Sequence, residues 1–484
     1  MNKKILTTLA SLSFAFYLGA CGDDSSSSAN IECLDNENCL DDELSSDSDD
    51  AESSSSAKST KDKSSSSVKA KSSSSEKAKS SSSEKAKSSS SAKAKSSSSK
   101  NDAKSSSSEE ILDESSSSEE EPESSSSVEL KITYLSETPN AADLEVSGDT
   151  LFAVFQRSYS DGSFTLLYQN GLVALFNLKD GTLLDTIPLV TKNPQTIKMV
   201  NGSLYVGTTG EYNPDTWGTD ADDTRGIEKI DLKNKTSELW IGGSKLGAGV
   251  QSFDVNAETG VAYVVVNKGY PGGMSAEMPV LEVDLASKSV TNIDGIYDAS
   301  GTVCVDPKSS TVYIGDRGSY EEMTGWMAYS YDGTSLTALY DEEDYCGYQP
   351  ASIAVAGGVV FVYISDYYSS GRLYWIENGN LSEKSIEFST DTKLVAVNDK
   401  LYVLDRKDAG SISNVNISKK KVAWQHALAK ENPYDIVAIN KSSAWVAMYN
   451  VAEIRKISLS DGSTISSIDT KELSAKNVEV VTEE

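Results

Sequence analysis

From about residue 128 the chain breaks into short runs in which apolar and polar residues alternate, and the runs come in pairs. Alternation with a period of two is the mark of a strand with one face buried and one face wet. The first strand of each pair is followed at once by a second with an aromatic near its start. Examples are "QTIKMVNGSLYVGTTG" from Gln195, "QSFDVNAETGVAYVVVNKG" from Gln251, "GTVCVDPKSSTVYIGDRG" from Gly301 and "TKLVAVNDKLYVLDRK" from Thr392. "ADLEVSGDTLFAVFQR" from Ala142, "ASIAVAGGVVFVYISDYY" from Ala351 and "YDIVAINKSSAWVAMYN" from Tyr434 complete a set of seven copies.

After a loop of variable length each copy leads into a second hairpin, as in "LVALFNLKDGTLLDTI", "IEKIDLKNKTSELWI", "VLEVDLASKSVTNI" and "IRKISLSDGSTISSI". The DG, NK and SK pairs suit tight hairpin turns. Four strands per unit, repeated every 40 to 58 residues or so, predict the blades of an all-β propeller with seven blades, six or eight staying open. Repeats such as "LYVGTTG" and "VYIGDRG" resemble the YVTN/quinoprotein-like (WD40-like) seven-bladed β-propellers over roughly residues 138–471. That resemblance implies a fold and little about activity. Either "VELKITYL" (128–135) or "NVEVV" (477–481) is expected to add a strand that latches the ring.

The first twenty residues differ in kind. Lys3 and Lys4 precede an apolar run from Ile5 to Phe16, the layout of a secretory signal peptide and too short for a permanent membrane span. The junction Leu18-Gly19-Ala20-Cys21 resembles the bacterial lipobox. The resemblance implies that residues 1–20 are removed and that Cys21 carries the lipid, whose several chains give stable anchoring. Gly22, rather than an aspartate, follows the cysteine, which points to the outer membrane. Asp23 and Asp24 resemble surface-export signals, so exposure at the cell surface is expected, with the periplasmic face as the alternative. Residues 21–127 repeat SSSS, every eight residues in the middle, with almost no aromatic or β-branched residue. Such a composition buries too little apolar surface to offset chain entropy, so a disordered tether is expected, with an r.m.s. span of roughly 50–60 Å. The globular domain is then 128–484.

The chemical inventory is narrow. The net charge of -29 argues against nucleic acid as a partner. One histidine, His426, cannot build a multi-histidine metal site, and its strand "KVAWQHAL" sets it on the face of Trp424. No haem, phosphate-loop or nucleophile-elbow motif appears. With Cys21 set aside, Cys33 and Cys39 could close a small loop. Cys304 and Cys346 are either a disulfide between neighbouring blades or two buried thiols. In "EYNPDTWGTDADDTRG", Asp220, Asp222 and Asp223 are the candidate calcium ligands, although the spacing falls short of a calcium loop and a solvated acidic loop is the competing reading. No other cofactor is expected.

Two features point to a binding face. "VYIGDR", "VYISDY" and "LYVLDR" end their second strands alike, so Asp316, Asp366 and Asp405 should recur around one rim, with Arg317 and Arg406 beside them. That rim reads either as a polar binding site at the channel mouth or as ion pairs and turn caps that lock the blades. The loops between second and third strands carry Tyr212, Trp217, Tyr270, Tyr320, Trp326 and Tyr367. Exposed aromatics beside polar groups suit sugar rings and protein partners alike. The expected protein is a monomeric, lipid-anchored, non-catalytic binding module with a glycan or protein ligand. The competing expectations are a carboxylate-dependent glycan-cleaving enzyme and a structural lipoprotein of outer-membrane assembly.

Overall fold

The computed structural model describes residues 129–162, 166–271, 275–300, 303–319, 327–340, 349–365, 370–407, 410–429 and 431–481. They form a seven-bladed β-propeller. Seven antiparallel sheets follow one another along the chain, and within each the strand order is the sequence order. Blade 1 runs Ala141–Ser147, Thr150–Phe155, Asn170–Asn177 and Leu183–Lys192; blade 2 runs Pro194–Val200, Ser203–Thr208, Gly226–Asp231 and Thr236–Gly242. Blade 3 opens with Gly249–Asn256, blade 4 with Val303–Val305, blade 5 with Gln349–Ala356, blade 6 with Thr392–Val397 and blade 7 with Pro433–Ala438. In blade 5 two short strands, Asn380–Leu381 and Ile386–Phe388, share the outer position.

The first strand of each blade neighbours the first strands of the next and the previous blade, and the sequence closes from blade 7 back to blade 1. First strands are therefore innermost and line the central channel. The apolar positions of the alternating pattern fill the spaces between blades. Seven clusters of buried aliphatic and aromatic side chains result, each built from two adjacent blades. Trp445 of blade 7, fully buried, meets Phe155 and Phe176 of blade 1 in the cluster that closes the ring.

No blade is shared between the chain ends. The two candidate latch segments pair with each other instead. Glu129–Tyr134 and Lys476–Val481 form a two-stranded antiparallel ribbon, Leu130 opposite Val480 and Lys131 opposite Glu479. It joins the ring through the Leu135 N–H to the Ala475 carbonyl at 2.9 Å and through Gln169, whose side chain pairs with both the N–H and the carbonyl of Lys476. Among the described residues no helix is long and apolar enough to cross a membrane.

Candidate functional site

The inner edge of a first strand has no neighbouring strand, so its outward N–H groups need other acceptors. Side chains of the preceding blade supply them. Asp143 of blade 1 accepts the Ile197 N–H of blade 2 at 2.9 Å, and Glu145, two residues on, accepts that of Met199 at 3.2 Å. Asp254 accepts the Val305 N–H at 2.8 Å, Ser352 that of Leu394 at 2.9 Å, and Asp435 that of Leu144 at 3.2 Å. Cys304 accepts the N–H of Val355 in the same way. Ion pairs complete the circuit: Lys198 stands 4.0 Å from Asp254 across the blade 2–3 seam, and Lys393 stands 3.2 Å from Asp435 across the blade 6–7 seam. Every seam thus carries at least one polar clasp between innermost strands.

These clasps concentrate charge in the channel. Burial, then the Asp435 carboxylate, push the Asp143 carboxyl up to about 7, against the pull of Lys198 and Lys393. Burial acts on Asp435 in the same sense, but Lys393, Lys198 and a hydrogen bond from Asp143 outweigh it and hold that carboxyl below its ordinary value. Burial disfavours the Lys198 charge, yet Asp143, Asp254, Glu145 and Asp435 together hold its pKa high.

The mouth of the channel lies on the face where first strands begin and second strands end. In five blades the first strand starts with a bulge whose extra residue is Ala142, Gln195, Gln251, Ala351 or Tyr434. Bulges turn one side chain out of the regular alternation. Tyr434 stacks on Tyr449 with ring centroids 4.7 Å apart, and the Arg406 guanidinium lies 5.0 Å from the Tyr434 ring. Tyr212, from the blade 2 loop, reaches close enough to Tyr449 to help burial and Tyr434 raise its pKa. The structure thus brings Tyr212 and Arg406 into one cluster at the mouth.

The rim carboxylates have local tasks. Asp316 accepts backbone N–H groups from Asp298 (2.8 Å), Gly318 (2.9 Å) and Tyr297, and burial pushes its own carboxyl up to about 6. Asp405 accepts the Ser389 hydroxyl and the Lys407 N–H. Successive residues of a strand point to opposite faces, so Arg406 reaches Asp391 at 2.6 Å, and Arg317 lies in the field of Asp298. Asp298 and Asp391 occupy equivalent places before the first strands. Their carbonyls accept the N–H of Arg317 and Arg406, as those of Asn140, Asn193 and Asn432 accept the residues ending their own second strands.

The long loop of blade 2 is pinned to blade 3. The Tyr270 N–H bonds to the Thr216 carbonyl at 2.7 Å, and the Thr219 N–H to the Asn267 carbonyl at 3.0 Å. Gly218 packs so closely that a Cβ there would fall 2.1 Å from the Lys268 carbonyl oxygen. Between these contacts Trp217 is held at a φ of 54°, in the left-handed region that bulky side chains avoid, with 55% of its surface exposed. The strip continues through Tyr270, half-buried, to the Gly269–Glu277 bridge, and the adjoining Met278–Asp298 bridge carries the exposed Tyr297.

The three candidate calcium ligands diverge. Asp220 pairs with Asn213, Asp222 with Thr224 and Arg225, and Asp223 with Ser244. Among the described residues no three His, Cys, Asp or Glu side chains lie together as a metal site. Cys304 is a free thiol whose sulfur faces the channel clasp, where burial and Asp254 push it up to about 12. His426 sits on the outermost strand of blade 6, against Gly462 of blade 7. Cys21, Cys33, Cys39, Tyr320, Trp326, Cys346, Asp366 and Tyr367 lie outside the described residues.

Sequence reasoning missed Asp143, Lys198, Asp254, Lys393 and Asp435. The available signal was an ionisable residue recurring within otherwise apolar first strands. It also missed Tyr297, Tyr434 and Tyr449.

No family model matches the chain, and no curated protein does. Solved structures of similar shape include the computationally designed Ika8 protein, with 10% identity, a TM-score of 0.44 and coverage of 69% of this chain and 89% of that one. Hydrazine synthase of Kuenenia stuttgartiensis gives 12% identity, a TM-score of 0.46 and coverage of 67% and 96%. A chain of a nidogen/laminin complex gives 10% identity, a TM-score of 0.36 and coverage of 54% and 94%.

Proposed function

We propose that the protein is a lipid-anchored, non-catalytic binding module of the outer membrane, whose loop face engages a glycan or a protein surface. Cys21 is the anchoring residue on this reading, and the "LYVGTTG"-type repeats resemble those of the YVTN/quinoprotein-like propellers. The observation that carries it is Trp217. A large indole held in solvent, on a backbone conformation that disfavours it and clamped on both sides, has no role in the core. Aromatic groups presented rigidly lose little entropy on binding and serve as stacking platforms or interface anchors.

The channel carboxylates support the non-catalytic side of the reading. Asp143 and Asp435 are in hydrogen-bond contact, whereas the paired carboxyls of glycosidases stand about 5 Å apart or more. Each also accepts a backbone N–H of the next blade.

The test is a screen of the full chain against envelope glycans and surface proteins, repeated with Trp217→Ala and Tyr297→Ala. A loss of about thirtyfold in affinity, roughly 2 kcal/mol, is expected for Trp217→Ala with the fold intact. Release of product from a polysaccharide, abolished by one Asp or Glu substitution, would refute it. Binding that survives both substitutions would refute the choice of face.

A further inference from the structure

We infer that Asp143 and Asp435 form a proton-sensitive clasp at the seam where the ring closes, tighter in mildly acidic than in alkaline solution. Blades 7 and 1 are the first and last parts of the ring to be joined in sequence, and these two side chains stand on the innermost strands that meet there. They are in contact with each other. Asp435 accepts the Leu144 N–H of blade 1, and Asp143 passes the connection on to Ile197 of blade 2. Two carboxylates so placed repel when both are ionised, and one proton between them turns the repulsion into a hydrogen bond.

The surrounding charges set where that proton is lost. Lys393 of blade 6 and Lys198 of blade 2 face the pair and favour ionisation. Glu145 on the same strand as Asp143, and Asp254 of blade 3, face Lys198 and dilute its effect. Cys304 of blade 4 lies beside Asp254 and is neutral at ordinary pH. Burial and the like charge of Asp435 dominate at Asp143, so the pair keeps its proton to a pH well above that at which an unfolded carboxyl loses it. A carboxyl raised by folding contributes fully below its unfolded pKa, and its contribution disappears as the pH rises through the folded value. Asp435 has the opposite shift and loses its contribution only as the pH falls into the acid range. The acid-strengthened window therefore lies between about pH 4 and pH 7.

Asp143→Asn reproduces the protonated state permanently, because the amide can accept the Ile197 N–H and donate to Asp435 at once. Melting midpoints of the full-length protein, wild type and variant, should be compared at about pH 5.5 and about pH 8. The expected result is equal midpoints in acid and a variant midpoint several degrees higher in alkali. Asp316, pushed up to about 6, gives wild type a slope of the same sign, so the difference between the two proteins carries the test rather than either slope. A variant that melts below wild type by the same margin at both pH values would overturn the proposal. Asp435→Asn, which removes the like charge and keeps an acceptor for Leu144, is the second arm. It should also flatten the dependence, and an unchanged dependence there would overturn the proposal equally.

Discussion

Asp435, in the innermost strand of the last blade, accepts the backbone N–H of Leu144 in the first blade at 3.2 Å. The ring is therefore joined across its ends by a side chain, without a strand exchanged between first and last blades. The Trp445 indole N–H, bonded to the Leu178 carbonyl at 2.8 Å, repeats the connection on the outer side of the same seam. Asp435→Ala strands the Leu144 N–H and leaves Lys393 without its partner. A loss of about 2–3 kcal/mol is expected by chemical denaturation. Asp435→Asn, which keeps an acceptor, should lose clearly less.

Two tryptophans should respond in opposite ways. Trp445 is fully buried in the cluster between blades 7 and 1. Truncating it to alanine removes a large core side chain and orphans the Leu178 carbonyl, an expected loss of about 3–5 kcal/mol. Trp217 is exposed and strained. Trp217→Gly relieves the left-handed strain and should raise stability by about 1 kcal/mol while removing binding. Thermal melting paired with the binding screen separates the outcomes. A Trp217→Gly protein less stable than wild type would show that the indole packs after all.

The blade hairpins were legible because a strand period of two is local and each blade repeats it. Phe152, Tyr205, Tyr263 and Tyr402, the aromatics near the starts of their second strands, all lie buried between blades. The clasp ring was not legible. Asp143 or Lys198 in an alternating strand reads as solvent-facing, and only closure of the ring turns that face toward the free edge of the next blade. The rim was half legible. Asp316 and Arg317 are neighbours in sequence, but Asp316 caps the backbone N–H groups of Tyr297, Asp298 and Gly318, while Arg317 lies in the field of the Asp298 carboxylate. The length of the 211–226 loop was visible. The left-handed turn that lifts Trp217 depends on contacts with blade 3 that no local pattern encodes.

Gly218 allows those contacts. Its Cα packs on the Lys268–Gly269 backbone, and a methyl group would lie 2.1 Å from one backbone oxygen and 2.4 Å from one backbone nitrogen. Backbone cannot yield as a flexible side chain can, so Gly218→Ala should detach the loop from blade 3. The expected local destabilisation is about 1–3 kcal/mol. Hydrogen exchange should speed up at Tyr270 and Thr219, whose N–H groups bond across this contact, while the blade strands stay protected. Unchanged exchange at both amides would mean the pinning is not carried by this glycine.

Retention at the membrane should depend on one side chain. Cys21→Ala removes the thiol to which the lipid is attached in lipobox proteins, and the protein should appear in the soluble fraction or stay unprocessed. Fractionation with normal retention of the variant would contradict the anchoring proposal.

The ribbon of Glu129–Tyr134 and Lys476–Val481 joins the segments that flank the seven blades, outside the ring. A two-stranded ribbon is marginal alone and gains its persistence from what holds its base. Here the base is Gln169, bonded on both sides of Lys476, and the Leu135 N–H on the Ala475 carbonyl. The ring has its own closure through Asp435, Trp445 and their cluster, so removing residues 476–484 should leave the propeller folded. It takes away every ladder partner of Glu129–Tyr134, and Ile132, already 48% exposed, would have no strand opposite it. Limited proteolysis should therefore give a core starting near residue 129 in the intact chain and near residue 135 in the truncated one, because cleavage follows unpaired exposed backbone. The melting midpoint should fall only slightly, since no cluster between blades is touched. A truncated chain that fails to fold would show that the ribbon, and not the Asp435–Leu144 seam, is what closes the ring.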